Sequence, residues 1–110
     1  MNPEGSIVDH FAAEAIRLGA DRLEVEYKDG REQIDACKQS LGFGIGSLDT
    51  SDPAAEELRD ELWAMRRRKR EITVDGVRYE LRCSVFDSFG ETAFRVAIQK
   101  AATGRKRSPE

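Results

Sequence analysis

The stretch ITVDGVRYELRCSVFDSFGETAFRVAI, Ile72 to Ile98, decides the fold. Ile72 and Val74 lead into Asp75-Gly76, a dipeptide that favours the tight turn of a two-residue hairpin. Val77, Tyr79, Leu81, Cys83 and Val85 then alternate with polar residues, and Phe94, Val96 and Ile98 resume the alternation after Gly90. A period of two over so many residues is the mark of strands with one buried face. If Asp87 to Gly90 form the loop, Phe86 stands opposite Glu91. That register sets Cys83 against Phe94, Leu81 against Val96 and Tyr79 against Ile98, apolar against apolar.

The preceding residues extend the pattern. Ser6 can cap a helix whose apolar residues, Val8, Phe11, Ala12, Ala15 and Ile16, fall on one stripe, with Gly19 placed to end it. Leu23, Val25 and Tyr27 alternate up to a first Asp-Gly turn at Asp29-Gly30, which pairs Val25 with Ile34 and Leu23 with Ala36. Leu41, Phe43, Ile45 and Leu48 are interleaved with Gly42, Gly44 and Gly46, a third or bent strand with a bare outer face. Asp52-Pro53 opens a second helix carrying Leu58, Leu62 and Met65. The expected architecture is α+β: an antiparallel sheet of five to six strands with two helices on one face, in a single domain over residues 6–100. Residues 1–5 and 101–110 are expected to be unstructured.

Composition agrees with one globular unit. The chain has 110 residues, 39% hydrophobic and 35% charged, and its longest uncharged run, Gln39 to Leu48, is too short to span a bilayer. A soluble, cytoplasmic protein is expected, with no membrane span. Cys37 and Cys83 supply neither a disulfide framework nor a metal motif, and neither cofactor nor metal is expected. Cys83 falls on the core face of its strand and Cys37 on the outer face, as a half-exposed thiol. His10 lies on the polar side of the first helix, with no catalytic constellation around it.

The net charge of −3 conceals an asymmetry of −9 for residues 1–65 against +6 for residues 66–110. Arg66, Arg67, Arg68, Lys69 and Arg70, with Arg105, Lys106 and Arg107 in the tail, could neutralise nucleic-acid phosphates or an anionic surface. They equally suit the end of a helix dipole. Gly42-Phe43-Gly44-Ile45-Gly46 lacks the lysine and helix of a phosphate loop. Trp63, one position off the second helix's stripe, either widens that stripe or anchors a protein interface. The register above also places Arg82 opposite Arg95 on the outer face, where two guanidinium groups could fork around a phosphate or carboxylate.

Gly19-Ala20 before the strand Leu23 to Glu26, and later Arg82, Ser84, Gly90, Glu91 and Arg95, resemble the N-terminal, non-catalytic domain of type II secretion and type IV pilus assembly ATPases. The resemblance spans about Ile7 to Ile98. Glu24 stands where that family commonly has histidine, and no Gly-x-x-x-x-Gly-Lys-Ser/Thr occurs, so the chain is not itself the motor. The resemblance implies a non-enzymatic, protein-binding or regulatory module, with a secretion or pilus ATPase assembly as partner and Arg82 and Arg95 reaching a partner's nucleotide. Nucleic-acid binding through residues 66–70 is the alternative.

Overall fold

A computed structural model describes residues Ser6 to Ala101. The elements run α1 (Ile7–Arg17), β1 (Arg22–Lys28), β2 (Arg31–Lys38), β3 (Leu41–Asp49), α2 (Pro53–Met65), β4 (Arg70–Val74), β5 (Val77–Ser88) and β6 (Glu91–Lys100). The six strands form one antiparallel sheet in the order β3-β2-β1-β6-β5-β4, so the first strand pairs with the last. The fold is α+β, as the periodicities require.

Both helices lay their stripes on one face of the sheet. Val8, Phe11, Ala12 and Ala15 of α1 and Leu58, Leu62 and Met65 of α2 bury against Leu23, Val25, Ile34, Ala36, Leu81, Phe94, Val96 and Ile98. Each large aliphatic side chain so buried contributes about 1.5–3 kcal/mol. Ser6 caps α1 by accepting the Asp9 N–H at 3.1 Å. Its own hydroxyl donates to Glu61 Oε1, which also accepts the Val8 N–H at 2.9 Å. Arg70 Nη1 donates to Ser6 Oγ and to Asp9 Oδ1. A carboxylate from α2 and a guanidinium from β4 thus fasten the start of α1, which favours negative charge.

The β1–β2 register is the expected one, Val25 facing Ile34 and Leu23 facing Ala36. The β5–β6 register is not. Its turn is Phe89-Gly90 alone, with Ser88 opposite Glu91, so the pairing slides by two residues. Cys83 faces Val96, Leu81 faces Ile98, Tyr79 faces Lys100, Phe86 faces Ala93, and Phe94 faces Val85. The physical reason lies in Phe89, whose φ of 52° lets a bulky residue occupy the position that Asp29 and Asp75 hold in the two Asp-Gly turns. Asp87 and Ser88, turn-forming by composition, remain in the strand. A slip of two keeps every side chain on its face, so the core survives the correction.

β3 contains a bulge. Ile34 pairs with Gly46 and Asp35 with Gly44, leaving Ile45 as the extra residue. Ile45 packs on the core, and Gly46 receives the Phe11 ring so closely that a Cβ would stand 2.6 Å from Cε1. Two successive residues therefore face the helices. Cys37 is buried on the outer face rather than half-exposed, and Cys83 is only partly covered. Ala101, expected in the tail, donates its N–H to the Arg78 carbonyl at 3.0 Å. The remaining terminal residues, Arg105, Lys106 and Arg107 included, lie outside the described residues. No helix among the described residues is long and apolar enough to cross a membrane.

Candidate interaction surface

The outer sheet face is a lattice of alternating charge. Glu24 Oε2 accepts from Arg22 Nε at 3.0 Å and Arg95 Nε at 3.3 Å. Arg95 also lies over the Phe86 ring, 4.6 Å from its centroid. Glu80 pairs with Lys69 at 3.1 Å and with Arg82 at 3.7 Å. Because of the two-residue slip, Arg95 stands opposite Ser84 and Arg82 opposite Ala97, diagonal to each other on one face. The two are not directly opposed, and each shares a carboxylate with another cation, Arg95 with Arg22 and Arg82 with Lys69. Arg82 and Arg95 do not form the open fork expected of directly opposed residues.

The basic run is divided in a similar way. Arg66 stacks on Trp63 at 5.1 Å, Lys69 holds Glu80, and Arg70 is drawn into the α1 cap. The side chains of Arg66, Arg67 and Arg68 make no ion pair or hydrogen bond among the described residues. Arg67, Arg68, Lys69 and Arg70 line one shallow concavity at the end of α2.

Exposed apolar side chains gather at the end of the molecule where β1 ends and the β5–β6 hairpin turns. β1 pairs with β6 only from Arg22 to Val25, although it runs on to Lys28, so the last rungs, Phe86–Ala93, Asp87–Thr92 and Ser88–Glu91, part from β1 as an arm. Ser88 Oγ ties the arm back by donating to Glu26 Oε1 at 3.1 Å. At its tip Phe89 is fully exposed, in the left-handed region. An L-residue pays about 1–2 kcal/mol there, and asparagine, aspartate or glycine would pay less. Strain of this kind, kept at an exposed site, points to use.

Beside the arm an open groove of about 370 Å³ is lined by Tyr27, Glu32, Arg59, Trp63, Glu91 and Phe94 among others. Trp63 stands edge-on to Phe94, ring centroids 5.2 Å apart and planes at 87°, and is 43% exposed. It both widens the α2 stripe and leaves part of its ring exposed beside Arg66. Glu32, the one buried charged residue among those described, accepts from Arg59 Nη1 at 2.9 Å. A buried carboxylate is tolerated where a guanidinium pairs with it, and here the pair sits in a wall shared by three aromatic rings and by Thr50, Glu91 and Thr92. Trp63 was legible as a possible anchor from its offset on the helix. Phe89 was not, because the four-residue loop reading gave it no special conformation.

His10 lies exposed on α1, 3.9 Å from Glu14. Burial raises the Cys83 thiol to about 11 and raises that of Cys37 as well, so neither is primed as a nucleophile. No protein-family model and no curated protein matches the chain.

Proposed function

We propose that this protein is a non-enzymatic protein-binding module that docks its partner at the hairpin end, with Phe89 as a projecting knob and Trp63 as the anchor of the adjoining groove. The observation that carries the reading is Phe89: a fully exposed aromatic ring held in an unfavourable backbone conformation at the tip of the hairpin arm. Aromatic side chains of this kind dominate interface energetics, and a tryptophan beside a half-buried ion pair adds orientation.

The accessory role in a secretion or pilus ATPase assembly is one setting for such a module, in the cytoplasm. What supports it is the set of matching residues, of which Gly90 and Glu91 flank the knob itself, and the order of helices and strands. The carboxylate partners of Arg82 and Arg95 make a nucleotide contact secondary to the protein contact.

The test is affinity capture with the full chain, comparing wild type, Phe89→Asn and Trp63→Ala, followed by titration of the captured protein and of a purified secretion ATPase. Truncating a central aromatic anchor weakens binding by about 30-fold or more. A partner held equally well by Phe89→Asn, or the absence of any specifically retained protein, overturns the proposal.

A further inference from the structure

The two edges of the sheet differ in their exposure to another strand. β4 has five residues, and alternation from its closing pair, Val74–Val77, turns the backbone of Glu71 and Thr73 outward. Charged Arg70 and Glu71 and the short length guard it. β3 has nine residues, and from Leu41 to Leu48 carries no charge and no proline. Leu41 is 64% and Phe43 56% exposed. Neither charge, proline nor short length guards it, and the bulge at Ile45 is the one such device it carries.

The direction of its backbone groups follows from the register. The two-residue turn makes Lys38–Leu41 a mutually bonded pair, and at the far end Thr50 N–H donates to the Gly30 carbonyl. Counting inward from both ends, Leu41, Phe43, Gly46 and Leu48 bond to β2, whereas Gly42, Gly44, Ser47 and Asp49 point away from it. Arg31 Nη2 already touches the Ser47 carbonyl at 3.3 Å, and the Asp52 N–H takes that of Asp49. Both groups of Gly42 and of Gly44, and the Ser47 N–H, have no hydrogen-bond partner among the described residues.

Side-chain faces supply the second half of the pattern. Gly42, Gly44, Ser47 and Asp49 face outward from the helices, while Leu41, Phe43, Ile45, Gly46 and Leu48 face the helix side. The bulge makes this sequence of faces a palindrome about the Ile45–Gly46 bond. When the strand is laid antiparallel against itself, the full-length register pairs Gly42 with Asp49, Phe43 with Leu48, Gly44 with Ser47 and Ile45 with Gly46. Every pair then joins like face to like face and outward backbone to outward backbone, with the Ser47 and Asp49 carbonyls accepting a second donor beside Arg31 and Asp52. Shifting by one or two residues breaks that match.

We propose that β3 is a self-association edge: two copies of this chain pair β3 with β3 about a two-fold axis at Ile45–Gly46, giving one continuous twelve-stranded sheet. A two-fold contact requires a self-complementary patch, which the bulged strand supplies. The Phe43 ring of each copy covers Leu48 of the other, across the edge that Leu18 and Leu41 leave apolar. This surface is separate from the hairpin end, so the two proposals stand or fall independently.

Sedimentation velocity of the full chain, from about 10 μM to about 1 mM, spans the range in which a contact of one strand pair is populated. The expected result is a monomer–dimer equilibrium, with amide exchange at Gly42, Gly44 and Ser47 slowing as concentration rises while that at Glu71 and Thr73 stays constant. Gly44→Pro removes an outward donor and no strand-pairing bond within the monomer, displacing only the flexible end of Gln33, and should shift the dimer constant at least 10-fold with the circular dichroism spectrum unchanged. Phe43→Lys, at an exposed position, should do the same by placing a charge against Leu48. A monomer throughout the range, a dimer indifferent to both variants, or protection at Gly44 that appears only when a different protein is added overturns the proposal.

Discussion

Replacing Phe89 by asparagine should make the domain more stable and less able to bind. The phenyl ring is fully exposed, so its removal forfeits no burial, and the backbone at φ 52° suits asparagine better than phenylalanine. Relief of strain is worth about 1 kcal/mol, part of the 1–2 kcal/mol that the left-handed region costs an ordinary residue. For a domain of this size that corresponds to a rise in Tm of about 4–8 °C. Thermal unfolding by circular dichroism measures it, and urea titration should show a higher midpoint with an unchanged m-value. The molecule contains its own control: Asp29 occupies the same position of another turn, φ 53°, so Asp29→Phe should lower Tm by a similar amount. An unchanged or lower Tm for Phe89→Asn would show that the ring packs or that the turn is unstrained, and would remove the premise of the docking proposal.

Two further outcomes follow from the interior. Gly46→Ala places a methyl group 2.6 Å from Phe11 Cε1, and the ring is wedged between α1 and β3; the expected loss is about 1–3 kcal/mol, read as a lower urea midpoint. Cys83, its thiol raised to about 11 by burial, should alkylate far more slowly at pH 8 in the native protein than in urea; equal rates would show that the thiol is not covered.

The strands and helices were legible because the chain repeats its signals: two Asp-Gly turns, alternation of period two, and Asp52-Pro53 at a helix start. The β5–β6 register was misread for a definite reason. Side-chain alternation fixes the face of a strand but is blind to a slip of two, and only the turn sets the rest. Asp87 and Ser88 advertised a loop, while Phe89 concealed the true one. The same slip undid the opposition of Arg82 and Arg95. The β3 bulge was equally hidden, since Gly44, Gly46 and Ile45 alternate regularly in sequence and break step only because Phe11 needs the bare Gly46 beneath it. The arm depends on where β1 and β6 part company, a long-range fact that no local pattern carries.

The pairing of β1 with β6 has a consequence for how the molecule is made. During synthesis Leu23 and Val25 must wait for Val96 and Phe94 to leave the ribosome before their side of the sheet is closed. Until then the nascent N-terminal half offers two raw margins, the β3 rim and the seam awaiting β6, and the late-arriving C-terminal strand is the one that seals it. Such sequence-distant closure slows folding, and the interval favours a chaperone or a neighbouring nascent copy as the first visitor.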